Sequence, residues 1–300
     1  MIRATWALVC LVLTMPLAAE IHLQQSDGGT LILPKNAQRI VTLAPNLAEL
    51  VYAAGGGQYL VATVEYSDYP EEASQLPRVG DAFRVDLEAL LGLQPDLVIA
   101  WTSGNPAALV DRVEQLGLAV WRTELKQPGD ISTLLRSMGR AMDTLEPAEH
   151  VATEFDNRLA ALAQQYDDAD PVAYFYQVSE RPLYTVNGKH LISHALDVCG
   201  GSNVFAQLGA LAPSISVEAV LAVDPAVIFA PEGNGMQGGL DQWRRWQSLQ
   251  AVEQDHLYYL DADRISRASP RFLDSIERAC HYLSVAREHH IGKQKQESFP

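Results

Sequence analysis

Short apolar runs set the rhythm of the first half of this chain. Arg39-Ile40-Val41-Thr42-Leu43, Tyr59 to Val64, Leu97-Val98-Ile99-Ala100 and Ala119-Val120-Trp121 predict buried strands. Helical signals separate them. Pro45-Asn46 opens a helix through Ala54 that Gly55-Gly56-Gly57 closes, and Asp86 to Leu91 and Pro106 to Leu116 read as two more. Strands that alternate with helices predict a parallel sheet covered on both faces. Ahead of this region, Ile21 to Gln25 and Thr30 to Leu33 flank Ser26-Asp27-Gly28-Gly29, a hairpin signal.

After Asp130 the period changes. Leu134, Met138 and Met142 recur on one helical face. Pro147 suits the first turn of a further helix, whose apolar positions Val151, Phe155, Leu159, Leu162 and Tyr166 step by three and four. That helix is expected from Glu146 to about Tyr166, roughly 31 Å at 1.5 Å per residue. The α/β rhythm then resumes with the strand Val172 to Gln177, a helix from Leu191 to Val198 closed by Gly200-Gly201, the strands Ala226 to Ala230 and Leu257 to Leu260, and a last helix from Phe272 to Arg287. Residues from about His289 are expected to form a disordered tail. One internal repeat ties the halves together. Val85 to Ala100 matches Ile215 to Ala230 without a gap, each copy reading as a capped short helix (Asp86, Ser216), a proline turn (Pro95, Pro225) and a buried strand. The expected organisation is a leader over 1–19, an N-terminal α/β lobe over 20–145, a connecting helix over 146–168, a C-terminal α/β lobe over 169–288 and a tail over 289–300. Both lobes are Rossmann-like with parallel sheets, and a cleft between two such lobes is a common place to bind a ligand.

Composition narrows the function classes. The chain has 300 residues, 48% apolar and 20% charged, which fits a folded protein of about two domains and excludes a disordered or rod-like chain. A formal charge of −15 disfavours nucleic acid and anionic lipid as partners. The start of the chain, Met1-Ile2-Arg3, an apolar run from Trp6 to Leu17 and then Ala18-Ala19, reads as a secretory signal peptide cut after Ala19. The run is too short to span a bilayer. Cys10 lies inside it without the small residues that precede a lipid-modified cysteine, so a soluble exported protein is expected. Cys199 and Cys280 remain. Two separate buried thiols are one reading, and one disulfide is the reading an oxidising compartment favours.

Candidate chemistry is sparse. The chain has no G-x-S-x-G, P-loop or H-E-x-x-H motif. Gly233-Asn234-Gly235-Met236-Gln237-Gly238 fits G-x-G-x-x-G, but too little sheet follows it for a dinucleotide fold, and it reads as a loop at the cleft mouth. His190 and His194 share a helical face at a spacing that suits a metal pair, yet no third ligand accompanies them, and two partly exposed histidines is the simpler reading. Asp261 and Asp263 with Arg264, Arg267 and Arg271 follow a strand end and form either a polar rim of the cleft or a charged surface turn. Tyr66, Tyr69, Phe83 and Trp101 lie in loops after strands of the first lobe, and Tyr184 in a comparable place in the second. Aromatics gathered on one edge of two facing lobes suit a flat, apolar-faced ligand.

Five stretches carry a resemblance: Arg39-Ile40-Val41-Thr42-Leu43-Ala44-Pro45, Tyr66-Ser67-Asp68-Tyr69-Pro70, Pro95 to Trp101, Val198-Cys199-Gly200-Gly201-Ser202-Asn203-Val204-Phe205 and Arg267-Ala268-Ser269-Pro270-Arg271. Over roughly residues 38 to 287 the chain resembles periplasmic substrate-binding proteins of the helix-backboned class, which deliver ligands to ABC importers, and within them the cobalamin-binding group. The resemblance implies a periplasmic monomer that catalyses nothing, holds no metal or cofactor of its own, buries a corrinoid between its lobes and presents it to permease subunits. The corrin platform falls on Tyr66 and Trp101, with Phe83 and Tyr184 beside it, and polar contacts fall near Asp263, Arg264 and Arg267. Two permease-docking glutamates fall on Glu88 and Glu218, equivalent positions of the internal repeat. Ala82, Ala212 and Arg264 stand where the group has tryptophans. A haem or siderophore binder of the same class is therefore the alternative within it, and an exported enzyme or metal-binding protein the alternative outside it.

Overall fold

A computed structural model describes residues 20–233, 236–237 and 239–297. The expected signal peptide with Cys10, three residues of the glycine motif and the last three of the expected tail lie outside them. The first lobe opens with the hairpin β1 (Ile21–Gln24) and β2 (Thr30–Leu33). It continues through β3 (Ile40–Thr42), α1 (Pro45–Ala53), β4 (Leu60–Ala62), α2 (Glu71–Ser74), α3 (Leu87–Gly92), β5 (Leu97–Trp101), α4 (Ala107–Gln115), β6 (Val120–Thr123) and α5 (Gly129–Met142). Its sheet has the order β4-β3-β5-β6 with every pair parallel. All three residues of β3 are buried, as expected for a strand covered on both faces.

One helix, α6 (Leu145–Gln165), carries the chain to the second lobe. There follow β7 (Val172–Tyr176), α7 (Leu191–Asp197), β8 (Gly201–Asn203), α8 (Val217–Val223), β9 (Val227–Gly233), β10 (Met236–Gln237), α9 (Gln250–Glu253), β11 (Leu257–Asp261), α10 (Ala262–Ser266) and α11 (Phe272–Glu297). Its parallel core runs β8-β7-β9-β11, and β10 folds back antiparallel onto the end of β9. The two sheets thus share one strand order, with β4, β3, β5 and β6 answering to β8, β7, β9 and β11. The internal repeat is the part of this correspondence visible in sequence. Asp86 Oδ1 accepts from the N–H groups of Glu88 and Ala89, each at 3.0 Å, and Ser216 Oγ accepts from Ala219 N–H at 3.2 Å. Glu88 and Glu218 stand exposed in the first turns of these two capped helices.

The largest apolar cluster runs from α1, α5 and α6 into α7 and α11 of the second lobe, and a smaller cluster covers the other face of each sheet. α5 and α6 pack closely because Gly139 has no side chain: a Cβ there would lie 2.5 Å from that of Ala148. Cys199 and Cys280 form a disulfide with Cα atoms 5.4 Å apart, tying the end of α7 to α11. Two expectations are corrected. The tail expected from His289 instead continues α11 to Glu297, and His289 Nδ1 lies 2.9 Å from Nε2 of the buried His256. The glycines expected only to close α7 also open a strand, because the left-handed turn at Gly200 (φ 73°) leads directly into β8.

Candidate functional site

A cavity of about 680 Å³ lies between the lobes, within the ordinary range for small-molecule sites. Its walls come from the carboxyl ends of parallel strands, where ligands collect in open α/β sheets. Trp101 ends β5, Glu124 to Lys126 follow β6, Tyr176 ends β7 with Val178 just beyond it, and Pro231 belongs to β9. Ser103, Val186, Lys189 to Ile192 and His194 at the start of α7, Leu211, Ala212, and Ile265, Ser266 and Ala268 complete it. Apolar side chains supply most of this lining.

Trp101 is held by its neighbours rather than by its place in the sheet alone. Its indole N–H donates to Glu124 Oε1 at 3.1 Å, and its backbone N–H donates to Asn105 Oδ1 at 2.7 Å. The buried Asn105 amide donates in turn to Leu43 O at 2.8 Å and Ala82 O at 2.9 Å, joining the ends of β3 and β5 to the loop that carries Phe83. Gly104 is required beneath the ring, since a Cβ there would stand 2.1 Å from Trp101 Cε3. Asp81 Oδ1 then accepts from the N–H groups of Phe83 and Arg84 at 2.7 and 2.8 Å, fixing that loop as a turn.

Beside the cavity lies an ion cluster that joins the lobes. Glu49, 3% exposed on α1, receives Ser269 Oγ at 2.7 Å, Arg271 Nη2 at 2.6 Å and Nε at 3.1 Å, and Arg267 Nη1 at 3.3 Å. Arg267 also pairs with Asp68 and, at 2.9 Å, with Asp263, while Tyr69 lays its ring 3.6 Å from the Arg271 guanidinium carbon. Burial alone lowers the Arg267 pKa; the Asp68 hydrogen bond and the surrounding carboxylates more than reverse that and raise it.

Of the sequence-predicted contact residues, the cavity lining contains Trp101 and none of the others. Tyr66 and Phe83 stand 73% and 69% exposed in loops after β4 and before α3. Tyr184 is half-buried in a loop whose backbone bridges to Ser179 and Ser214. Asp263 and Arg267 belong to the ion cluster, and Arg264 pairs outward with Asp274 and Asp261 at 3.4 and 3.9 Å. His190 and His194 both line the cavity. His190 caps α7, its Nδ1 accepting Ile192 N–H at 3.2 Å. Among the described residues no group of three or more His, Cys, Asp or Glu side chains is arranged to hold a metal ion. Sequence reasoning missed Glu49, Asn105, Glu124 and Tyr176. An acid in the apolar face of α1 was the one available signal.

The sequence profile of the family described as periplasmic binding protein matches residues 40–264. The vitamin B12-binding protein of Vibrio cholerae is 39% identical over 256 residues, spanning 85% of this chain and 92% of that one. The crystal structure of the periplasmic vitamin B12 binding protein of Vibrio cholerae superposes with a TM-score of 0.78 at 39% identity, over 84% of this chain and 98% of that one. A periplasmic heme-binding protein from Roseiflexus shares the fold with a TM-score of 0.72 at 21% identity, covering 84% of this chain and 100% of its own.

Proposed function

This chain belongs to the periplasmic binding protein family, and we propose that it carries a corrinoid of the vitamin B12 class in the cavity between its lobes and hands it to the permease of an ABC importer. The observation that carries this reading is the cavity itself: one apolar site at the carboxyl ends of both sheets, closed from two lobes and walled by a braced tryptophan. The relative's name supplies the ligand class. Trp101 offers a ring to a flat macrocycle, and the exposed Tyr66 and Phe83 are the aromatic surfaces at hand to extend that platform. Asp263, Arg264 and Arg267 act from the polar side, Arg267 by holding the segment that contributes Ser266 and Ala268 to the wall. The protein acts as an exported monomer and transforms nothing; the corrinoid is cargo. Glu88 and Glu218, one on each lobe, meet the two permease subunits.

The test is direct. The purified chain is mixed separately with cyanocobalamin, haemin and a ferric siderophore, passed through gel filtration, and the visible spectrum of the protein peak is read. Cyanocobalamin should co-elute at one per chain. Retention of haemin or the siderophore in its place assigns the other ligand class.

A further inference from the structure

The free polar groups of the cavity share one character. Lys126, after β6, and Lys189, before α7, line it from opposite lobes. Neither ammonium has an ion pair or hydrogen bond among the described residues. The chain carries a net charge of −15 and five lysines in all, so two uncompensated ammoniums in one cavity do not reflect its general surface. The neutral groups are donors too. Because the His190 Nδ1 lone pair is taken by Ile192 N–H, the neutral ring carries its proton on Nε2. Burial, and after it the neighbouring His194, lowers the His190 pKa to about 4, so the ring stays neutral near pH 7. Tyr176 is 2% exposed, and its hydroxyl has no hydrogen-bond partner among the described residues. Burial also raises its pKa, so it keeps its proton. Glu124, the carboxylate in the lining, already accepts at Oε1 from Trp101 Nε1, Ser103 Oγ and Leu125 N–H, at 3.1, 2.9 and 3.0 Å. The wall is rich in donors and poor in free acceptors.

We propose that this wall is a subsite for anionic oxygens at the rim of the ligand, either a phosphodiester or carboxylates, gripped by Lys126 and Lys189 from the two lobes and by the neutral donors Tyr176 and His190. The inference rests on the small-molecule reading of the cavity and adds the chemistry of one edge of the ligand. Two like charges facing one cavity repel each other across it, and an anion between them turns that repulsion into attraction for both lobes. Both lysines are exposed, so their attraction for an anion is screened by salt, while their charge-assisted hydrogen bonds remain stronger than neutral ones.

The experiment measures affinity by quenching of tryptophan fluorescence for cyanocobalamin, which has a phosphodiester, for dicyanocobinamide, which lacks it, and for haemin, which has carboxylates. Each is titrated at low and high NaCl into the wild type, Lys126→Gln, Lys189→Gln, their double variant, Tyr176→Phe and, as a control, the exposed Lys35→Gln. A wild type that prefers cyanocobalamin to dicyanocobinamide assigns the phosphodiester, and one that prefers haemin assigns carboxylates. For the preferred probe the double variant should lose about tenfold or more in affinity, together with most of the salt dependence. Tyr176→Phe should lose several-fold, and Lys35→Gln nothing. Unchanged, salt-independent affinity in the double variant overturns the subsite and leaves the function standing. Where cyanocobalamin is the preferred probe, equal losses for it and for dicyanocobinamide overturn the anionic character of the subsite. A wild type that binds none of the three probes removes the function and the subsite together.

Discussion

Glu49 shows how a single side chain can connect what the sequence keeps apart. It stands 218 to 222 positions from its three donors, and no periodicity or motif points from one to the others. Arg267 and Arg271 were legible as part of a charged group near a strand end, either rim or surface turn. The surface turn does not fit, because the carboxylate they share, Glu49, comes from the other lobe and is itself buried. Glu49→Ala should destabilise the protein by about 3–5 kcal/mol in urea unfolding, since two partly buried guanidiniums lose their common carboxylate. Glu49→Gln keeps the shape and one acceptor oxygen, and Arg267 retains Asp68 and Asp263, so the loss should be nearer 1–3 kcal/mol. Equal losses in the two variants would mean that the carboxylate charge contributes nothing to joining the lobes.

Elements were more legible than contacts. Short apolar runs located most strands and spacings of three and four with caps and prolines located the longer helices within a few positions, while the short α2, α9 and α10 were not foreseen; Asp86 and Ser216 cap the helices they were expected to cap. Failures came where the local signal was polar or short. β8 is Gly201–Asn203, three residues without a β-branched side chain, formed because the chain leaves Gly200 alongside β7. The end of α11 has no apolar stripe, yet it continues a helix already fixed by packing, as cooperative propagation allows. The cysteine pair was legible by count and compartment, its geometry only from the fold. The Cys199–Cys280 bridge closes a sequence separation of 81. Replacing both by Ala should therefore cost up to about 4 kcal/mol, with ligand affinity unchanged because neither sulfur lines the cavity. A variant as stable as the parent in oxidised buffer would show that the packing of α7 on α11 suffices alone.

For the whole molecule, one repeat in the sequence announced two lobes of like construction, and both sheets have the same strand order. What it could not show is how the lobes face each other, and hence which loop residues line the cavity: of the expected aromatics only Trp101 does. The same likeness gives the docking proposal its form. Glu88 and Glu218 occupy matching exposed positions, so a partner of two similar subunits meets two similar anchors. Glu88→Ala combined with Glu218→Ala should leave cyanocobalamin affinity intact while reducing its uptake in cells or vesicles by tenfold or more. Uptake at the normal rate would leave these carboxylates with only their favourable interaction at helix N-termini. The position of α11 has a further consequence, for the order of events during synthesis. The first sheet is complete once Thr123 has been made, whereas the second lobe awaits α11, which packs on α6, α7, β7 and β11 and brings Cys280 to Cys199. Arg267 and Arg271 also arrive late, so Glu49 is made long before anything can neutralise it. A nascent chain that stops short of Phe272 thus holds a half with a finished sheet, a half without its cover, and an unsealed seam between them. Locking is deferred until Arg267, Arg271 and α11 have all been made.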